Sequence, residues 1–149
     1  MRTPAKRTTS VSKPVAVVDT NVFISALLGG PSSSAIYAAF RDSQFTLATS
    51  EPLLEELTDV LTRPRLGALI AAGKAKRLIT LIRLEATLVP PPKKRVTACR
   101  DPKDNMVLEC ALAARADCVV TRDEDLLTLS PFRRIALLEP SAFLKTLKS

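Results

Sequence analysis

The chain contains no histidine among its 149 residues, and that absence removes several chemistries at once. Histidine general bases, Ser-His-Asp triads, HExxH zinc sites and phosphohistidine relays all need an imidazole. Any catalysis must run on carboxylates, hydroxyls, lysines or a metal ion. Cysteine is scarce: Cys99, Cys110 and Cys118 are odd in number, lack CxxC spacing and lie in or beside apolar stretches. They are expected to be reduced core thiols in a reducing cytosol. No window approaches the ~18 to 20 apolar residues of a membrane span, and the N-terminal MRTPAKRTTSVSK has no apolar segment after it to complete a secretion signal. A soluble, cytoplasmic protein with no membrane partner is expected. The GGPSSS run at residues 29–34 lacks the lysine and the spacing that cradle a triphosphate. There is no internal repeat.

Hydrophobic residues make up 46% of the chain. That is enough for one core of ordinary size, in a chain too short for two comfortable domains. One domain is expected over residues 14–149, preceded by a flexible basic tail over residues 1–13, where Met1 and Val11 are the only large apolar residues. Lys and Arg outnumber Asp and Glu by 22 to 15, for a formal charge of +7 and a pI near 9.7, which favours an anionic partner such as nucleic acid.

Hydrophobic periodicity divides the chain into alternating elements. VAVV from Val15 is a buried strand, NVFISALL a short helix, SSAIYAAFRD a helix after the GGPSSS turn, and FTLAT a second strand. SEPLLEELTDVLTRP is a helix with Ser50 as N-cap, Pro52 in its first turn and Pro64 at its end. AGKAKRLITLIRLEA is amphipathic, TLVPPP a short strand, and DPKDNMVLECALAARA a helix opened by Asp101 and Pro102. DCVVT, DEDLLTL, RRIALLE and PSAFLKTL complete a strand-helix-strand-helix series, with Pro140 starting the last helix. Alternating strands and helices predict an α/β fold with a central, mostly parallel sheet, because parallel neighbours need crossover helices. In such sheets ligands bind outside the carboxyl ends of the strands, so acids just after strands are the informative ones.

Asp19 directly follows VAVV, and Asp123 comes two residues after CVVT. Each is also well placed to cap the following helix. In DPKDN, Asp101 is the natural N-cap and Asp104 falls in the first turn, in phase with Val107, Ala111 and Ala114. A carboxylate on that face needs a partner, although a first-turn acid also complements the helix dipole. In the helix of residues 51–62, Glu55 lies opposite the apolar stripe of Leu53, Leu54, Leu57, Val60 and Leu61, whereas Glu56 borders it. Most helical glutamates are surface residues, but these four acids together, in a chain without histidine, suggest a shared pocket. Clustered carboxylates repel unless a cation neutralises them, and hard oxygen ligands suit Mg2+ or Mn2+, which engage phosphate oxygens and activate water. That chemistry is phosphodiester hydrolysis.

The ordered blocks VVDTNVFISALL, SEPLLEELTDVL and CRDPKDNMVLECALAARADCVVTRDEDLL resemble the PIN-domain ribonucleases, and in particular the PIN-family toxins of bacterial toxin-antitoxin pairs. The likeness runs from about Val15 to Leu147. It implies a Rossmann-like, three-layer domain with helices flanking the sheet, Mg2+- or Mn2+-dependent endoribonuclease activity, and inhibition by a cognate antitoxin protein. By position, Asp19, Glu56, Asp104 and Asp123 match the family's catalytic and metal-binding acids, with Asp125 as an extra or substitute ligand. Asn21 and Thr121 match its supporting polar residues, and Asn105 stands where many relatives carry another acid. A homodimer or higher homo-oligomer is the family tendency.

Other readings fit less well. A haloacid-dehalogenase-type phosphatase needs a second acid where Asn21 stands, and a receiver domain needs an aspartate after its central strand, where FTLATS has none. A catalytically inert PIN-like module that binds RNA or protein through the same fold stays open, although no acid is lost. The cations Lys93, Lys94, Arg95, Arg122, Arg133 and Arg134 are either a solvated surface or a rim that holds RNA phosphates beside the pocket. If residues 1–13 are a tail, deleting them leaves the thermal unfolding midpoint unchanged; a fall of many degrees would place them in the core.

Overall fold

The computed structural model describes residues 13–90, 92 and 95–148. Most of the expected basic tail therefore lies outside the described residues. Five strands form one sheet: β1 (Val15–Val18), β2 (Thr46–Thr49), β3 (Thr87–Leu88), β4 (Cys118–Val120) and β5 (Ala136–Leu138). Their order is β3-β2-β1-β4-β5 and every pairing is parallel, so among the described residues no antiparallel strand joins the sheet. The helices are α1 (Thr20–Leu27), α2 (Pro31–Arg41), α3 (Glu51–Leu61), α4 (Pro64–Gly67), α5 (Lys74–Glu85), α6 (Pro102–Ala114), α7 (Glu124–Leu127) and α8 (Pro140–Leu147).

Strand side chains alternate between faces, and here each face has its own core. Ala16, Val18, Leu47, Cys118 and Val120 pack with Val22, Ile36, Leu78, Ile82 and Phe143. Their neighbours Val17, Ala48, Val119 and Leu137 pack with Val107, Leu108, Ala111 and Leu126. The result is three layers: helices, sheet, helices. Both faces being covered explains why the strands are near-continuous runs of valine, alanine and leucine. Burial holds the thiols of Cys110 and Cys118 up at about 12, as inert core groups, whereas Cys99 is only half-buried.

Two local expectations change. Pro64 does not simply end a helix: it opens the one-turn α4, with Arg63 as its N-cap, because a missing N–H costs nothing at the first helical position. Arg133 and Arg134 do not enter the last strand. Their φ angles of 47° and 74° make a left-handed turn closed by the Phe132 and Ile135 bridge, and the strand begins only at Ala136.

The strands run outward from β1 in two directions, through β2 to β3 and through β4 to β5. The switch between β1 and β4 leaves a crevice at their carboxyl ends, where α/β sheets bind ligands. After β5, α8 is anchored by Phe143, 1% exposed and edge-on to Phe45 at 5.1 Å. Phe143→Ala is expected to cost ~3–5 kcal/mol, measurable by chemical denaturation; a loss below about 1 kcal/mol would show that α8 does not depend on this contact.

Candidate functional site

Asp19 is the first residue beyond β1 and its amide donates to Val120 O at 2.9 Å, across the switch point. It occupies the N-cap position of α1, yet its side chain makes no capping bond. Instead Asp19 Oδ2 accepts from Thr121 Oγ1 at 2.8 Å, and Thr121 Oγ1 accepts in turn from the Asp123 amide at 3.0 Å. The capping role is therefore not what holds Asp19, which is buried. Asp123 does cap: its Oδ1 accepts from the Asp125 amide at 2.9 Å, at the start of α7.

Helical phase decides the other two acids. Asp101 caps α6 by accepting from the Lys103 amide at 2.9 Å and stays exposed, whereas Asp104 is turned inward and buried. Glu55 faces solvent and Glu56 is half-buried. Glu56 Oε1 accepts from Thr20 Oγ1 at 2.9 Å, and Lys103 Nζ lies 3.7 Å from Glu56 Oε2. Thr20 and Lys103 were not singled out in the sequence. Thr20 could have been suspected from its place directly after Asp19, but its partner lies 36 residues away.

One carboxylate oxygen from each of Asp104, Asp123 and Asp125 falls within 4.8 Å of the others. The electrostatics tie in the remaining acids. Burial pushes Asp19 up to about 6, against the Thr121 hydrogen bond that favours its charged form, with the charges of Glu56 and Asp123 adding to the rise. Asp104 is pushed up to about 7, first by burial, then by the charge of Asp123 and a hydrogen bond to it that favours protonated Asp104, then by Asp101 and Asp19. Hard oxygen donors this close, one of them, Asp104, held above the ordinary carboxylate range with Asp19 raised nearby, suit a small divalent cation, which would take the place of the proton between Asp104 and Asp123. Thiolates are absent from the group, and it holds no imidazole, so softer metals are disfavoured.

The expected supporting residues have definite partners. Asn21 Oδ1 accepts from the Arg122 amide at 3.4 Å, tying α1 to the segment after β4. The guanidinium of Arg122 reaches Ser25 Oγ. Arg95 is exposed and pairs with the buried Glu109, Nε to Oε2, at 3.3 Å; Lys93 and Lys94 lie outside the described residues. Asn105 Oδ1 accepts from the Cys99 amide at 2.8 Å while Nδ2 donates to Cys99 O at 2.9 Å, a two-way clamp that a carboxylate could not make.

The shifted acids set the pH response of the metal-free fold. An unfolded aspartate releases its proton near 3.8, whereas folded Asp19 and Asp104 retain theirs to about 6 and about 7. Between these values the folded state holds more protons, so stability falls as pH rises from about 4 to about 7. Thermal unfolding in EDTA across that range should show a downward trend that Asp104→Asn flattens; parallel curves for the two proteins would disprove the shift at Asp104.

Comparison with known proteins agrees with the architecture. An uncharacterised protein of Methanocaldococcus jannaschii, MJ1680, is 28% identical over 117 residues, spanning 76% of this chain and 73% of that protein. The crystal structure of PAE2754 from Pyrobaculum aerophilum superposes with a TM-score of 0.59 over 91% of this chain and 96% of its own, at 15% identity, and so shares the fold. FitAcB from Neisseria gonorrhoeae matches with a TM-score of 0.47 over 85% and 98%, at 18% identity. The family model for the PIN domain covers residues 15–125, from the first residue of β1 to the last carboxylate of the cluster, and the chain belongs to the PIN-domain family.

Proposed function

We propose that this protein is a Mg2+- or Mn2+-dependent endoribonuclease and the toxin of a toxin-antitoxin pair. PIN domains are generally nucleases and typically use divalent metal ions. The observation that carries the reading for this chain is the close approach of Asp104, Asp123 and Asp125, with Asp104 held up at about 7 by burial and by Asp123. Such a group is poorly stable in water alone and is matched by a cation that brings its own charge.

In this reading Asp19, Glu56, Asp104 and Asp123 are the catalytic and metal-binding acids and Asp125 is a further ligand. When bound, the metal supplies charge neutralisation at a phosphate and lowers the pKa of water. The protein's own contribution is orientation. Thr121 fixes one oxygen of Asp19, Thr20 fixes one of Glu56, and Asn21 holds the backbone at Arg122. Arg122 and Arg95, with Lys93 and Lys94, are assigned to the substrate-binding rim, where their charge draws a polyanion toward an acidic site. Residues 14–149 form the PIN domain, working in the cytoplasm as a homodimer or higher homo-oligomer and restrained by a cognate antitoxin. The toxin assignment rests on the resemblance of the three sequence blocks.

Cleavage of single-stranded or looped RNA should require Mg2+ or Mn2+ and stop in EDTA. Asp104→Asn keeps the side-chain shape and removes the charge, so cleavage should fall by orders of magnitude while the metal-free protein stays folded or gains stability. The same change should abolish growth arrest on expression without antitoxin. Undiminished cleavage by folded Asp104→Asn would remove that residue from the mechanism, and metal-dependent activity absent across varied RNAs would leave an inert RNA- or protein-binding module.

A further inference from the structure

Arg122, the residue between Thr121 and Asp123, lines a hydroxyl-rich cavity that the carboxylate chemistry does not use. Ser33 is 2% exposed, and among the described residues its hydroxyl has no hydrogen-bond partner, although the adjacent Ser34 bonds to Ala26 O at 3.2 Å. A hydroxyl withdrawn from water without a partner costs free energy, so an unpaired one calls for an explanation. Ser33 lines a cavity of about 180 Å3, together with Ser25, Ser32, Arg122 and Ser141. A cavity of about 150 Å3 already admits a benzene-sized guest, and a single phosphate group is smaller.

Everything on the wall favours a negative guest. Among the described residues, Arg122 is the one charged residue that lines the cavity. The α2 helix begins there with Gly30 at its N-cap and Pro31 at its first position, and no side chain caps it. The first-turn amides of Ser32 and Ser33 therefore have no partner within the helix, and they carry the positive end of its dipole. Gly30 also excludes a capping side chain, because a Cβ there would collide with Ser25 Oγ. Pro140 and Ser141 bring the start of α8, likewise without a side-chain cap, to the same wall. Paired helix starts, hydroxyls and a guanidinium are the donors that recognise an oxyanion.

The cavity adjoins the carboxylate site through Arg122. This residue stands between Thr121, which holds Asp19, and Asp123, and its guanidinium reaches Ser25 on the cavity wall. We propose that the cavity is a phosphate subsite that seats a backbone phosphodiester of single-stranded RNA next to the linkage being cut. The assignment to RNA rests on the ribonuclease reading above; the preference for an oxyanion does not. The GGPSSS run thus acts through one phosphate and lacks the lysine a triphosphate loop would supply.

Two substitutions test the subsite without threatening the fold. Ser33→Ala removes a buried hydroxyl that has no partner to lose. Ser32→Asp places a carboxylate in the first turn of α2, where it suits the helix dipole but repels a phosphate. Binding of a labelled single-stranded oligoribonucleotide is measured in EDTA, so that cleavage plays no part. Both variants should unfold no lower than the parent and bind the RNA about tenfold more weakly, the scale of one charge-assisted hydrogen bond. With Mg2+ or Mn2+, Ser33→Ala should raise KM by about the same factor and leave kcat within about twofold.

In a second arm, inorganic phosphate is compared with chloride at matched ionic strength. It should raise the parent's midpoint and not that of Ser32→Asp. RNA affinity equal to the parent's in both variants would overturn the proposal. If the phosphate response alone were lost in that case, the cavity would be a site for free phosphate. Weakened RNA binding in a protein that never cleaves would retain the subsite and discard the ribonuclease reading. Metal-dependent cleavage with unaltered binding and KM would do the reverse.

Discussion

Carboxylates brought together out of water repel one another and lose hydration at the same time, and the carboxyl edge of this sheet is organised around both costs. Asp19 and Asp104 are each less than a tenth exposed, and each is held above the ordinary range chiefly by burial. The compensations are partial and local. Thr121 donates to Asp19, Thr20 to Glu56, and Lys103 stands near Glu56, while Asp104 and Asp123 share a hydrogen bond that needs a proton. Apart from Lys103 at Glu56, the groups that touch these acids orient oxygens and leave charge uncancelled, an arrangement that suits a bound cation.

The sheet explains how this arrangement arises from separate parts of the chain. β1 lies in the middle with parallel neighbours on either side, so Asp19 emerges beside Thr121 and Asp123, whose strand is the next one over. Helices then bring Glu56 and Asp104 to the same edge, each anchored by the apolar residues of its own inner face. Packing on two faces fixes the sheet, and the sheet fixes the acids.

Much of this was legible in the sequence because it depends on local periodicity. The phase of DPKDNMVLECALAA separates Asp104 from Asp101, and that of SEPLLEEL separates Glu56 from Glu55; the structure shows the same division of buried and exposed sides. Ser50 and Asp101 are caps, as their types and positions suggest. What stayed hidden depends on partners remote in the chain. Nothing near Thr20 names Glu56, and nothing in GGPSSS announces that Arg122 and the start of α8 will face it. The turn at Arg133 and Arg134 was missed for a different reason: left-handed backbone is uncommon outside glycine, and RRIALLE carries none of the usual turn residues.

The bond from Thr121 to Asp19 spans 102 residues, and the cluster that includes Asp104 ends at Asp125. During synthesis, a chain released from the ribosome only as far as α5 has β1, β2 and their helices but neither β4 nor two of the three clustered acids, nor the third, Asp104. The two halves meet only when β4 slides in beside β1, a non-local pairing that forms late and slowly. A carboxylate edge assembled in this order is incomplete in the nascent polypeptide, and a fragment that stops before α6 lacks all three clustered acids.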